Sequence, residues 1–451
     1  MSIITQPRYS CALAAQQTVL AIPGAHPIVH AGPGCSSKMH GFASMHAGYQ
    51  GEGYAGGSTV SSTNTGEKEV VFGGEKKLSS TIEGALKVLK GDLFVVMTGC
   101  TADIVGDDSV SIAKEFAERG LPIVGVETAG FKGNSYYGHG QVVNAIIEQF
   151  TGDAEPKPRK GLVNLFSVVP NQDPFWRADL EGLKALLESI GLTVNVLYGY
   201  GSAGVSEWKD IPNAQFNLLV SSWVGLDTVK LLEEKYGTPY FHYPVFPVGA
   251  QETSRFLRET GKFAGIESET VEQVIAKEEK RYYKYFISFV DFLTEFRNHL
   301  PNELYTVADS TYAPGLTSFL VNEVGFIPKG VYLIDNAPES FRSGIVKPVA
   351  ERDESTAGLI TFQIDGELIH NDIKQKLGNS HKALFLGSGW EKFLAENTKN
   401  LYAFVSLPLL ETVILNRSYI GYNGGLNLIE EIYSNLFKTR KTSLRTQINF
   451  E

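Results

Sequence analysis

Short runs of β-branched and aromatic residues alternate with stretches of helical periodicity along almost the whole chain. That alternation constrains the fold to parallel βαβ units. In the first region the predicted strands are Pro27–Ala31, Leu93–Thr98 and Pro122–Val126, with a helix over Ser109–Arg119 stopped by Gly120. The polar, proline-bearing segment Gly152–Gly161 marks a boundary. A second unit restarts at Leu162–Val169, continues through a helix at Arg177–Ile190 ended by Gly191, and adds strands at Leu192–Leu197, Phe216–Val220 and Pro239–Tyr243. A long aromatic-rich helix over Val271–Asn298 bridges to a third unit. Its predicted strands are Leu304–Ala308, Gly330–Ile334, Leu359–Gln363, Ala383–Leu386 and Leu401–Phe404. The expected fold is α/β: three Rossmann-like doubly wound domains of mostly parallel sheets with helices on both faces, over residues 1–160, 161–295 and 296–451.

A chain of 451 residues, 43% of them hydrophobic, has ample material for several cores. No apolar stretch approaches the roughly 18–20 residues that cross a bilayer, so no membrane association is expected. The first residues lack a charged segment followed by an apolar one, which argues against export. An odd number of cysteines in such a chain argues for a reducing cytoplasm and against a disulfide framework. The net charge of −10 offers no broad footprint for nucleic acid. The basic run Lys438–Arg445 is a local exception, read as a solvated or partner-contacting tail.

The three cysteines, Cys11, Cys35 and Cys100, all fall in the first quarter. Cys35 and Cys100 each follow an apolar run that stops at glycines, so both thiols sit at carboxyl ends of predicted parallel strands. That is the edge where open α/β sheets bind ligands. Three converging thiolates are one short of a full set for an iron–sulfur cluster. Any one cysteine alone reads more simply as a buried small hydrophobe. Gly32, Gly34 and Gly99 would let the backbone approach a bulky cluster. The cysteine spacing matches no compact ferredoxin pattern, and no C-x-x-C pair exists for dithiol redox chemistry. His26, His30, His40 and His46 flank Cys35 and raise a zinc alternative, but none has the paired spacing of a finger. The glycine-rich turns Gly199–Gly204 and Leu386–Glu391 lack a P-loop lysine, so they read as tight turns and ATP hydrolysis on this chain is not expected.

Several segments together resemble the component 1 subunits of nitrogenase and nitrogenase-like reductases, from about Cys11 to the C-terminus. They are His30-Ala31-Gly32-Pro33-Gly34-Cys35, Glu69–Gly74, Thr98–Asp108, Gly130-Phe131-Lys132-Gly133, Pro244–Ala250 with Thr253, and Gly421–Asn427. Cys100 followed by Ile104-Val105-Gly106-Asp107-Asp108 is the most specific of these. The resemblance implies three Rossmann-like domains in each of two related subunits. It also implies that Cys11, Cys35 and Cys100 hold half of an interface cluster of the [8Fe–7S] P-cluster type, or alternatively a [4Fe–4S] cluster, with the partner's cysteines completing it. Gly34, Gly99 and Gly130 line the same cofactor site in this reading. Gly130 matches the position where a serine approaches the cluster in molybdenum nitrogenase, and Ser135 lies close by in sequence.

The α-type subunits of that family hold the active-site cofactor through a further cysteine and a histidine near the C-terminus. Here no cysteine follows Cys100 and no histidine follows His381, so the resemblance implies a β-type, electron-relay subunit with no catalytic residue of its own. The partners so implied are a homologous α-type chain in an α2β2 heterotetramer and a transient, ATP-hydrolysing iron protein dimer. Gly99 and Gly130 depart from the usual nitrogenase β pattern. They favour a nitrogenase-like reductase, with methylthio-alkane reductase as first candidate. A dinitrogen-reducing nitrogenase and a cofactor-assembly scaffold are the alternatives.

Overall fold

Among the described residues every pairing between strands is parallel, and the strands form three separate sheets. The computed structural model describes residues 9–38, 60–153, 155–296, 300–409 and 411–445, with side chains described through residue 436. The first sheet has the order β2-β1-β3-β4, built from β1 (Ala25–His30), β2 (Ser61–Ser62), β3 (Leu93–Thr98) and β4 (Ile123–Val126). The second, β6-β5-β7-β8, comprises β5 (Arg159–Phe166), β6 (Thr193–Val196), β7 (Ala214–Val220) and β8 (Tyr240–Tyr243). The third has the order β11-β10-β9-β12-β13. Its strands are β9 (Glu303–Ala308), β10 (Ile327–Leu333), β11 (Ile360–Phe362), β12 (Ala383–Gly387) and β13 (Leu401–Phe404). The architecture is α/β, as the alternation of the sequence predicts.

The middle strand of the first sheet shows why. All six residues of β3, Leu-Phe-Val-Val-Met-Thr, are buried, as expected for a parallel strand covered on both faces. Alternate side chains enter different layers. Phe94 and Val96 join Leu78, Ile82, Ile112 and Phe116 of the helices Glu75–Val88 and Ser109–Glu118. Val95 and Met97 join Val142, Val143 and Ile146 of the helix Ser135–Ile146 on the other face.

Boundaries shift where pairing overrides local composition. β1 starts at Ala25 and stops at His30, because its ladder with β3 runs from Ala25 opposite Leu93 to His30 opposite Thr98. β5 begins at Arg159, inside the polar segment read as a boundary, with an irregular register before Val163. The long helix spans Ser268–Phe296; the predicted end at Asn298 lies outside the described residues. Helices at Gly249–Ala264 and Gly421–Arg445 add to the predicted elements. The basic tail is the end of the second of these, and its side chains lie outside the described residues.

Two features set the fold's tolerance to change. A Cβ at Gly138 would lie 2.0 Å from the Ala12 carbonyl oxygen, so this glycine is what lets the segment after Cys11 lie on the helix Ser135–Ile146. Four carboxyl groups are also buried together: Asp173 and Asp179 near the second sheet, and Asp309 and Asp335 after β9 and β10. Ser418 Oγ donates to Asp179 Oδ1 at 2.6 Å, Tyr312 donates to its other oxygen, and Trp223 Nε1 donates to Asp335 Oδ2 at 2.7 Å. These bonds cross between segments of the second and third units. Burial, opposed by the hydrogen bonds from Ser418 and Tyr312, pushes Asp179 up to about 7. Burial and repulsion from neighbouring carboxylates push Asp173 and Asp309 up as well, and burial, opposed by hydrogen bonds from Ser310 and Trp223, pushes Asp335 up.

We expect Gly138→Ala to lower stability by roughly 2 kcal/mol or more in denaturant unfolding, because a backbone oxygen cannot yield as a side chain can. The buried acids bind protons more tightly in the folded chain than in the unfolded one. Their contribution is therefore complete at low pH and is lost as pH rises through the folded pKa. The melting temperature should fall between about pH 4 and about pH 7, a loss on the order of a few kcal/mol. Asp179→Asn should flatten that slope; a slope unchanged by the substitution would refute the assignment.

Candidate metal centre

In the first sheet the chain turns in opposite directions from β1, to β2 on one side and to β3 on the other. The switch point therefore lies between β1 and β3. Cys35 and Cys100 follow those two strands. Residues 33–38 are helical and carry Cys35, and the helix Cys100–Val105 opens on Cys100. Cys11 arrives from outside the sheet. It makes an isolated antiparallel bridge with Asn134, while Ala12 N–H donates to Gly133 O at 3.2 Å and Ser135 N–H to Ser10 O at 2.8 Å.

These contacts bring the loop after β4 between two thiols. A Cβ at Gly130 would stand 3.4 Å from both the Cys11 and the Cys100 Sγ and 3.1 Å from the Cys11 Cβ. The Gly130 N–H donates to Cys100 Sγ at 3.2 Å. Lys132 pairs with Asp103 at 2.7 Å, tying the same loop to the Cys100 helix. Gln16 is buried, and its Nε2 donates to Ser36 O at 3.1 Å, linking the Cys11 segment to the Cys35 helix. None of the three cysteines is in a disulfide; Cys35 is exposed, and Cys11 and Cys100 are partly buried.

The electrostatics record the convergence. Burial pushes the Cys11 thiol up and the Leu13 N–H pulls it down. The Cys100 charge pushes it up again, with smaller opposing effects from Ala14 N–H and Cys35. A proton on Cys11 is therefore favoured until a cation replaces it, as thiolate ligation requires.

The structure separates the roles of the site glycines. Gly130 fills the space between two thiols. A Cβ at Gly99 would meet the Ala31 Cβ at 2.6 Å, so this glycine serves the close packing of the two cysteine loops. A Cβ at Gly34 would meet nothing within 4 Å among the described residues, so no close approach among them demands a glycine there. Ser135 is buried, with no hydrogen-bond partner for its Oγ. The zinc alternative finds no support: His26 bonds Lys90 O at 3.1 Å, His30 bonds Thr63 and Asp107, and His40 and His46 lie outside the described residues. Among the described residues no three His, Cys, Asp or Glu groups are placed to hold a single metal ion.

Large apolar side chains are exposed on the thiol-bearing segments and on one helix beside them, next to the charged Lys132 and Glu127. On the helix Glu67–Phe72, which packs against the Cys100 helix, Phe72 is 81% exposed; Ile104 is 74% and Phe131 61% exposed. Soft donors, a glycine seated in contact with two of them and a backbone N–H aimed at sulfur fit an iron–sulfur cluster better than a lone cation. Neither Gln16 nor the Gly130 N–H carries a local sequence signal. Each is recognised only through contacts that fold distant segments together.

Residues 10–437 match the family model described as nitrogenase component 1 type oxidoreductase. The nitrogenase molybdenum-iron protein beta chain of Methanococcus maripaludis is 24% identical over 467 aligned positions, covering 95% of this chain and 93% of the relative. A light-independent protochlorophyllide reductase subunit from Angiopteris evecta is 22% identical, with 80% of this chain and 70% of the relative covered. The solved structure of nitrogenase Cp1 at pH 6.5 superposes with a TM-score of 0.77 at 20% identity, over 96% of this chain and 93% of that one, which speaks to the fold. The chain belongs to the nitrogenase component 1 family of oxidoreductases, as a β-type subunit.

Proposed function

We propose that Cys11, Cys35 and Cys100 hold one half of an iron–sulfur cluster whose other half belongs to a homologous α-type chain. The observation that carries this reading is the meeting of Cys11 and Cys100, from separate segments, on either side of Gly130, with Cys35 near enough to act electrostatically on Cys11. When bound, the cluster supplies one-electron storage at a potential set by its ligands, hydrogen bonds and exposure.

The chain's own groups do the rest. Gly130 N–H stabilises negative charge on Cys100 Sγ. The glycine leaves open the space between the two sulfurs, where a Cβ would press on the Cys11 Cβ at 3.1 Å. The apolar rim of Phe72, Ile104 and Phe131 would exclude water once a partner covers it. The cluster type follows the family pattern: [8Fe–7S], with [4Fe–4S] as the alternative.

In this reading the subunit relays electrons from an ATP-hydrolysing iron protein dimer to an active-site cofactor on the α-type chain, within an α2β2 heterotetramer, and substrate is reduced there. With a glycine at position 130, methylthio-alkane reduction is the first candidate activity. Dinitrogen reduction and a cofactor-assembly scaffold are the alternatives. The three sheets suggest a division into units at residues 1–160, 161–295 and 296–451.

The test is anaerobic purification of the chain with its co-expressed α-type partner, followed by iron and acid-labile sulfide analysis. Beyond any cofactor metal of the partner, about eight irons per αβ pair are expected for the larger cluster and about four for the smaller. Cys35→Ala should remove at least about half of that iron. An iron-free wild-type complex would falsify the reading. Turnover of a volatile methylthio compound against dinitrogen then separates the two leading substrates.

A further inference from the structure

We propose that His30, with Asp107 and Thr63, is a positioning residue that fixes the Cys35 loop against the Cys100 helix and so tunes the cluster. This rests on the three cysteines being its ligands. His30 is the last residue of β1, and the chain runs from it through Ala31–Gly34 to Cys35. Its ring is fully buried.

The residue grips both ends of the Cys100–Val105 helix. Its carbonyl accepts the Gly99 N–H at 3.0 Å, just before the helix, and its Nε2 pairs with Asp107 Oδ2 at 2.9 Å, just after it. Asp107 is itself held by its N–H to the Ala102 carbonyl at 3.1 Å, and its carboxylate accepts the Gly74 N–H at 2.9 and 3.0 Å. A carboxylate that already accepts those bonds takes a further donor, so Nε2 carries the proton toward Asp107. On the far side of the ring, Nδ1 lies 3.0 Å from Thr63 Oγ1, which also accepts the Ala31 N–H at 3.2 Å. A Cβ at Gly74 would sit 2.7 Å from His30 Cε1 and 2.8 Å from Asp107 Oδ2, so the fit around the pair admits only a glycine.

Burying such a pair gains little stability over an apolar pair of the same volume, while its directional bonds fix one arrangement. The arrangement fixed here is that of two ligand-bearing loops. Groups that orient ligands without touching the metal control affinity and potential.

The experiment uses the co-purified complex with its α-type partner and compares wild type with His30→Ala, His30→Gln, Asp107→Asn and Thr63→Val. The readouts are the rate of iron extraction by a chelator, the midpoint potential from redox-poised EPR, and the melting temperature. His30→Ala and Asp107→Asn should lose iron roughly tenfold faster or more and shift the potential. His30→Gln, which can still donate to Asp107, should recover part of both. Thr63→Val, the mildest change, should shift the potential in the same direction by less, and it decides the matter if the larger changes yield no soluble complex. An iron-replete wild type with unaltered potential and extraction rate in the variants overturns this inference alone, even if their melting temperatures drop. An iron-free wild type overturns the cluster reading and this inference together.

Discussion

The parallel ladder between β1 and β3 sets the geometry of the cysteine face. Six consecutive pairs, from Ala25 opposite Leu93 to His30 opposite Thr98, bring the two strands to an end at the same level. The loops that follow must leave the sheet side by side, and Ala31 and Gly99 pack so closely that no side chain fits at Gly99. A slip of one residue would turn every buried side chain of β1 to the wrong layer, which a strand buried on both faces resists strongly. Thr98 extends the arrangement to the third loop. Its Oγ1 accepts the Thr128 N–H at 3.1 Å and its carbonyl accepts the Thr128 hydroxyl at 2.9 Å, two residues before Gly130. One strand end thus positions both the Cys100 helix and the loop that contacts its sulfur.

The rest of the molecule solves a different problem. Asp173, Asp179, Asp309 and Asp335 lie buried near one another, and each accepts hydrogen bonds from backbone or side-chain donors. Buried carboxyl groups cost much free energy unless they are bonded or protonated. The raised proton affinity of these groups and their donors from distant segments meet that cost together. Asp179 and Ser418 are 239 positions apart, so their bond forms only when the second sheet and the C-terminal segment have docked. The carboxyl cluster is therefore closed and bonded from distant segments, whereas the cysteines lie on partly exposed loops.

Much of this was legible in the sequence, because parallel strands buried on both faces read as continuous apolar runs. Leu93–Thr98 and Ala383–Leu386 are examples, and the turns after them carry glycines whose type predicts the break. The cysteines at strand ends were legible for the same reason. What was not legible depends on contacts without local periodicity. Cys11 lies in an irregular segment and reaches its site by bridging Asn134, and β2 is only two residues long. The reason for Gly99 was legible as a need for space, but not as space for Ala31. His30 reads as one of four histidines near Cys35, polar lining with zinc as a weak alternative, until Asp107, 77 positions away, is found against it.

The contrast between the two parts of the chain bears on how the proposed half-site is held. A thiol cluster with exposed Phe72, Ile104 and Phe131 is an unfavourable surface for a lone chain, since apolar area left in water stabilises nothing. The chain nonetheless fixes the donors in advance. The Gly130 N–H already points at Cys100 Sγ, Lys132 already ties the Gly130 loop to Asp103, and Gln16 already joins the Cys11 and Cys35 segments. Ordering of these loops is thus built into the subunit's own fold and does not fall on the assembly step. Covering the face then contributes mainly desolvation, which strengthens every N–H to sulfur contact beneath it. In the proposed reading a preformed, open half-site would gain in two ways from the same event: apolar burial favours association, and a dry interface lets fixed dipoles set a potential.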